Sequence, residues 1–119
     1  MEKGLFKMTR SFGRMGEIEG VFIAPLEYVK VLTEGKLVVY FGEILGKHSE
    51  IWCNFGPENI KLVTTDQSVI SIISEHGLTS GYNPFQYSVL EGESEADIEY
   101  FEDMTIIEAC EAILKKPMK

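Results

Sequence analysis

The segment from Lys36 to Phe55 constrains the fold most, because β-branched and aromatic residues dominate it and Gly46-Lys47 interrupts it near the middle. Such residues favour extended strands, and a glycine supplies the backbone freedom that a tight reversal needs. The pattern predicts a β-hairpin over residues 36–55. We expect an α+β fold, in which a small antiparallel sheet is built round this central hairpin and two or three helices pack on one face.

The position of the turn decides which hairpin side chains share a surface. With Gly46 and Lys47 as the loop, Glu43 pairs with Glu50, and successive side chains point to opposite faces. The predicted inner face holds Val38, Tyr40, Ile44, Ile51, Cys53 and Phe55. The predicted outer face holds Phe41, Glu43, Leu45, His48, Glu50 and Trp52. A three-residue loop would slip the pairing by one residue and separate the outer groups.

The predicted outer face carries the first candidate site. Two glutamates about 5 Å apart across a hairpin repel each other unless a cation or a proton relieves the repulsion. Glu43, His48 and Glu50 could ligate a divalent metal, or act together as acid and base. With Trp52 they could instead bind a ligand or a partner, or the glutamates could simply be solvated and bridged by Lys47. We expect no cofactor, and a divalent metal stays an alternative.

A phosphate-binding loop is excluded, although two glycines, a lysine and a serine occur close together. Only three residues separate Gly42 from Gly46, whereas the P-loop needs four, and His48 separates Lys47 from Ser49. The chain that follows is also patterned as a strand rather than as the helix that the motif requires.

A second candidate site is the loop GYNPFQY, residues 81–87, which is rich in aromatic and turn-forming residues. Exposed aromatic residues on a proline-fixed turn are typical contacts for a partner or a planar ligand. We therefore expect Tyr82, Asn83 and Phe85 to bind. The alternative is that the aromatic rings plug the edge of the sheet.

Helix signals occur at three places. A helix is expected after Pro25, and another after Thr65 or Asp66, which can cap it. Thr105 and Glu108 match the capping box at the start of a third helix. The second helix should turn Val69, Ile70, Ile72 and Ile73 inward, and Ile60–Thr64 should form a third strand in the hairpin's meander.

The 119 residues suit a single domain over 1–119, and residues 1–17 are the most weakly patterned part. We expect a loose basic N-terminal arm there, or else an edge strand. The sequence shows neither a signal peptide nor an apolar run long enough for a membrane span. Two cysteines without paired spacing suit a reducing compartment, so the expected location is the cytoplasm.

The formal net charge of −8 argues against binding to nucleic acid or anionic membranes. The leading hypothesis is a small acidic binding protein that docks a protein partner or a small ligand. A second hypothesis is an inhibitor, as in phages or mobile elements, whose acidic residues 91–103 block a basic or nucleic-acid-binding partner. A third is a small enzyme that uses Glu43, His48 and Glu50. A homodimer through Phe41, Leu45 and Trp52 is a further alternative.

Overall fold

A computed structural model describes residues 2–35, 37–46, 50–92 and 105–115. The fold is α+β, as predicted, but it contains two antiparallel sheets rather than one. The four-stranded sheet has the order β5-β1-β2-β6, with β1 Lys3–Ser11, β2 Glu17–Pro25, β5 Ile60–Thr64 and β6 Ser80–Gly81. The three-stranded sheet has the order β4-β3-β7, with β3 Leu37–Gly42, β4 Ile51–Cys53 and β7 Ser88–Gly92. The helices are α1 Leu26–Leu32, α2 Gln67–Glu75 and α3 Ile106–Lys115.

The N-terminal segment forms an interior strand, so the expectation of a loose arm or an edge strand over residues 1–17 is wrong. Strand β1 pairs with β2 along its whole length and with β5 on its other side. Phe6 and Met8 are buried in the core, and this burial stabilises the strand. Ile60–Thr64 consequently belongs to the sheet of β1 and not to the hairpin's meander.

The hairpin strands are present, but the face of β3 that packs inward is the reverse of the prediction. Leu37, Val39 and Phe41 are buried, whereas Val38 and Tyr40 are partly exposed. A β-bulge between Tyr40 and Gly42 adds one residue to β3, so that β3 and β4 are out of step. A strict alternation counted back from the turn therefore assigns the wrong face.

The main core lies between the two sheets, with α1 and α3 closing it. Its fully buried side chains include Phe22, Leu32, Phe55, Ile106 and Cys110. Helix α2 instead packs on β1, and Leu5 and Ile70 are buried there outside the main core cluster. Ile70 is the one buried residue of α2, so the predicted inward stripe is wrong for the exposed Val69 and Ile72.

The helix starts follow the sequence signals. Asp66 accepts a hydrogen bond from the Ser68 amide at 2.9 Å, which caps α2. Thr105 and Glu108 form the predicted capping box, because each backbone amide donates to the other side chain, at 3.0 and 3.1 Å. None of the helices in the described parts of the chain has the length and apolar character needed to span a membrane.

Candidate functional site

The outer face of the three-stranded sheet presents the most conspicuous group of binding-type side chains. Tyr40 pairs directly with Trp52 across β3 and β4, and 50% of the Trp52 side chain is exposed. The Tyr40 hydroxyl donates a hydrogen bond to Oε1 of Glu50 at 3.0 Å. We call Tyr40, Glu43, Glu50 and Trp52 the tryptophan face.

Both glutamates of the tryptophan face act on the Tyr40 hydroxyl. The pKa of Tyr40 is raised above 10, first because Glu50 accepts its hydrogen bond and then because of partial burial. The negative charges of Glu50 and Glu43 raise this pKa further. The two carboxylates are therefore near enough to the Tyr40 hydroxyl for both charges to influence its pKa. The strand register agrees with this arrangement, since Gly42 pairs with Ile51 as the two-residue loop predicts.

Lys47 and His48 lie outside the described residues. The arrangement of Glu43, His48 and Glu50 as a metal or acid-base site therefore remains a prediction. Among the residues that the structure describes, no group of three histidine, cysteine or acidic side chains could hold a metal ion.

The apolar part of the predicted outer face is different from what we expected. Phe41 is buried, and its ring centroid lies 4.6 Å from that of Tyr87 and 6.2 Å from that of Phe55. Leu45 is half-buried against the core. The predicted dimer patch of Phe41, Leu45 and Trp52 thus keeps only Trp52 as a strongly exposed residue.

The 81–87 loop buries one of the two aromatic rings that were expected to bind a partner or a ligand. Phe85 is buried with its ring centroid 5.8 Å from that of Phe22 and 6.4 Å from that of Tyr28, so its predicted exposure is wrong. The side chain of Asn83 accepts a hydrogen bond from the Phe85 amide at 2.9 Å and fixes the turn. Tyr82 and Asn83 are partly exposed, and their role in binding stays a prediction.

A polar cleft, which the sequence did not suggest, opens where the end of β1 meets the loop after α1 and the loop between β4 and β5. Its volume is about 380 Å³, and we call it the Arg10 cleft. It is lined by Arg10, Thr33, Glu34, Gly35 and residues 54–59. Sequence reasoning missed it because Arg10 was assigned to a loose arm or an edge strand, and Gly56-Pro57-Glu58-Asn59 was interpreted only as a turn.

The two cysteines offer no nucleophile at neutral pH. Cys53 and Cys110 are both buried free thiols. Burial raises the pKa of Cys53 to about 11, although the nearby charge and hydrogen bond of Arg10 act in the opposite direction. Burial, assisted by the charge of Glu111, raises the pKa of Cys110 to about 12.

No protein-family model, curated protein or solved structure matches this chain. The function of the chain is therefore inferred from the tryptophan face and the Arg10 cleft.

Proposed function

We propose that the protein is a small acidic binding protein that docks a basic segment of a protein partner on the tryptophan face. The observation that carries the proposal is the half-exposed Trp52 beside the hydrogen-bonded pair of Tyr40 and Glu50. An indole ring attracts a cation over its face, and carboxylates pair with guanidinium or ammonium groups. A lysine or arginine side chain would meet both kinds of group on this surface.

The charge of the whole chain supports the same class of partner. A net charge of −8 attracts a basic segment over a distance and raises the rate of encounter. Tryptophan and tyrosine are also the residues that most often contribute a large share of the binding energy at interfaces. Tyr82 and Asn83 on the 81–87 loop are a second contact region in this proposal.

The other hypotheses gain no comparable support. The acidic segment of the inhibitor hypothesis, residues 91–103, lies outside the described residues except for Glu91 and Gly92. The enzyme hypothesis depends on His48, which is also outside them. We propose a cytoplasmic location because Cys53 and Cys110 are unpaired thiols, which suit a reducing compartment.

The fluorescence of Trp52 tests the proposal directly, because it is the chain's single tryptophan. A short arginine-rich peptide should change its emission with saturation, and a glutamate-rich peptide of equal length should not. Added salt should weaken the interaction, because exposed charges are screened. Glu50→Gln should lower the affinity for the basic peptide.

Calorimetry measures the affinity for the basic peptide in variants that lack the tryptophan fluorophore. Trp52→Ala should weaken binding about tenfold or more, as expected for a central aromatic contact. Ile72→Ala, which removes an exposed apolar side chain from α2 on the other sheet, should leave the affinity unchanged. The proposal would be contradicted if Trp52→Ala and Glu50→Gln bound the basic peptide as tightly as the unaltered protein does.

A further inference from the structure

The Arg10 cleft holds a guanidinium group that is fixed in position and only partly used. Nε of Arg10 donates to the carbonyl of Asn54 at 3.5 Å, and Nη1 donates to the carbonyl of Ser11 at 3.2 Å. The guanidinium carbon also lies 5.5 Å from the centroid of the Phe12 ring. A further hydrogen bond joins Arg10 to the Cys53 thiol. Because a guanidinium has five N–H groups, others remain for an acceptor inside the cleft.

The walls of the cleft are tied together by side-chain amides. Asn54 Nδ2 donates to the carbonyl of Gly35 at 3.1 Å, which joins the loop after α1 to the segment after β4. Asn59 accepts from the Gly56 amide at 3.0 Å and donates to the carbonyl of Thr9 at 3.3 Å. The cleft is therefore largely formed before any ligand enters, which lowers the entropic cost of binding.

Two carboxylates line the same cleft without neutralising Arg10. Glu58 folds back over Gly56 so closely that a Cβ there would meet both carboxylate oxygens at 2.6 Å. Glu34 lines the cleft from the loop after α1. Within the described ranges, neither glutamate forms an ion pair with Arg10 or with any other residue. One positive and two negative groups thus face a common space.

We infer that the Arg10 cleft binds a small zwitterion of the free amino acid class. The ligand carboxylate would accept hydrogen bonds from Arg10, and its ammonium group would lie near Glu34 or Glu58. The carboxylates repel an anion that lacks an ammonium group, so inorganic phosphate and acetate are discriminated against. A volume of about 380 Å³ lies near the lower end of ordinary ligand sites, which suits a molecule of this size.

The test follows the backbone amide signals of Gly35 and Gly56 by nuclear magnetic resonance while glycine, L-lysine, acetate or phosphate is added. At least one of the two amino acids should shift these signals with saturation, and acetate and phosphate should do so only at much higher concentration. Arg10→Gln should weaken amino acid binding about tenfold or more, since a charged hydrogen bond is lost. Arg14→Gln, which alters an exposed arginine outside the cleft, should leave it unchanged.

Glu34 and Glu58 are both exposed, so replacing them should not impair folding. In the double variant Glu34→Gln and Glu58→Gln, the preference for an amino acid over acetate should fall. The inference is overturned if neither amino acid shifts the Gly35 and Gly56 signals, or if Arg10→Gln binds as well as the unaltered protein. It is also overturned if the double variant keeps its full preference for amino acids. None of these results depends on the tryptophan face.

Discussion

Tyr40 and Glu50 face each other on the outside of the three-stranded sheet, with the tyrosine hydroxyl 3.0 Å from Oε1 of the glutamate. The bond favours the protonated phenol, and this raises the pKa of Tyr40 above 10. In Glu50→Gln we expect that pKa to fall toward its ordinary value. Site-resolved carbon resonances of the tyrosine rings measure the change as the pH is raised.

The effect on stability has a defined sign. The pKa of Tyr40 is higher in the folded chain than in the unfolded one, so the protonated hydroxyl stabilises the fold fully below pH 10. This stabilisation is lost as the pH rises through the folded-state pKa. Tyr87 is the control, since burial is the first cause of its raised pKa. A pKa of Tyr40 that is unchanged in Glu50→Gln would contradict the assignment.

The two thiols should be unreactive in the folded protein. Burial raises the pKa of Cys53 to about 11 and that of Cys110 to about 12, so the reactive thiolate is scarce at pH 8. A disulfide reagent should label neither cysteine at pH 8 and both after denaturation. Fast labelling of the folded chain would contradict their burial.

The same shifts make stability depend on alkaline pH. Each folded-state pKa lies above the ordinary value of 9, so the unfolded thiols ionise first as the pH rises. The contribution of the two thiols to the free energy of unfolding should therefore be constant below pH 9 and fall above it. Cys53→Ala should reduce the slope of that fall in a denaturant series.

Local sequence signals predicted local structure well. The capping box of Thr105 and Glu108 and the cap at Asp66 depend on residues two or three positions apart, so their geometry follows from the sequence alone. The α+β class followed from the same kind of signal.

Contacts between distant parts of the chain were not predictable in this way. Strand β1 is stabilised by partners near residues 17–25 and 60–64, and nothing within residues 1–17 encodes that pairing. The bulge after Tyr40 changes the face of Phe41 without a local marker. The exposure of Trp52 and Glu50 was predictable because β4 keeps its predicted alternation. The Arg10 cleft was not, because only the tertiary fold brings the end of β1 together with the two loops that line it.

Gly20 is expected to tolerate no side chain. A Cβ there would overlap the carbonyl oxygen of Tyr82, because β6 and the chain after it pass directly over this glycine. Gly20→Ala should lower the free energy of unfolding by about 1–3 kcal/mol, as overpacking usually does. It should also move the amide signals of Gly81 and Tyr82.

Ser80→Ala is the control for Gly20, since the Ser80 side chain is exposed and its backbone pairing with Val21 is kept. Its unfolding free energy should match that of the unaltered protein. Equal stability of Gly20→Ala and Ser80→Ala would show that the 81–87 loop does not lie over β2.

Helix α2 provides a matched pair of isoleucines for its packing on β1. Ile70 is 6% exposed and Ile72 is 53% exposed, although both belong to the same two turns. Ile70→Ala removes buried methyl groups and should cost about 2–4 kcal/mol in the free energy of unfolding, whereas Ile72→Ala should change it by about 0.5 kcal/mol or less. Chemical denaturation of the two variants measures both values at equal loss of side-chain volume. A cost for Ile72→Ala as large as that for Ile70→Ala would mean that another surface covers this flank of α2 in solution, and dilution of the protein would then reduce the stability of the unaltered chain.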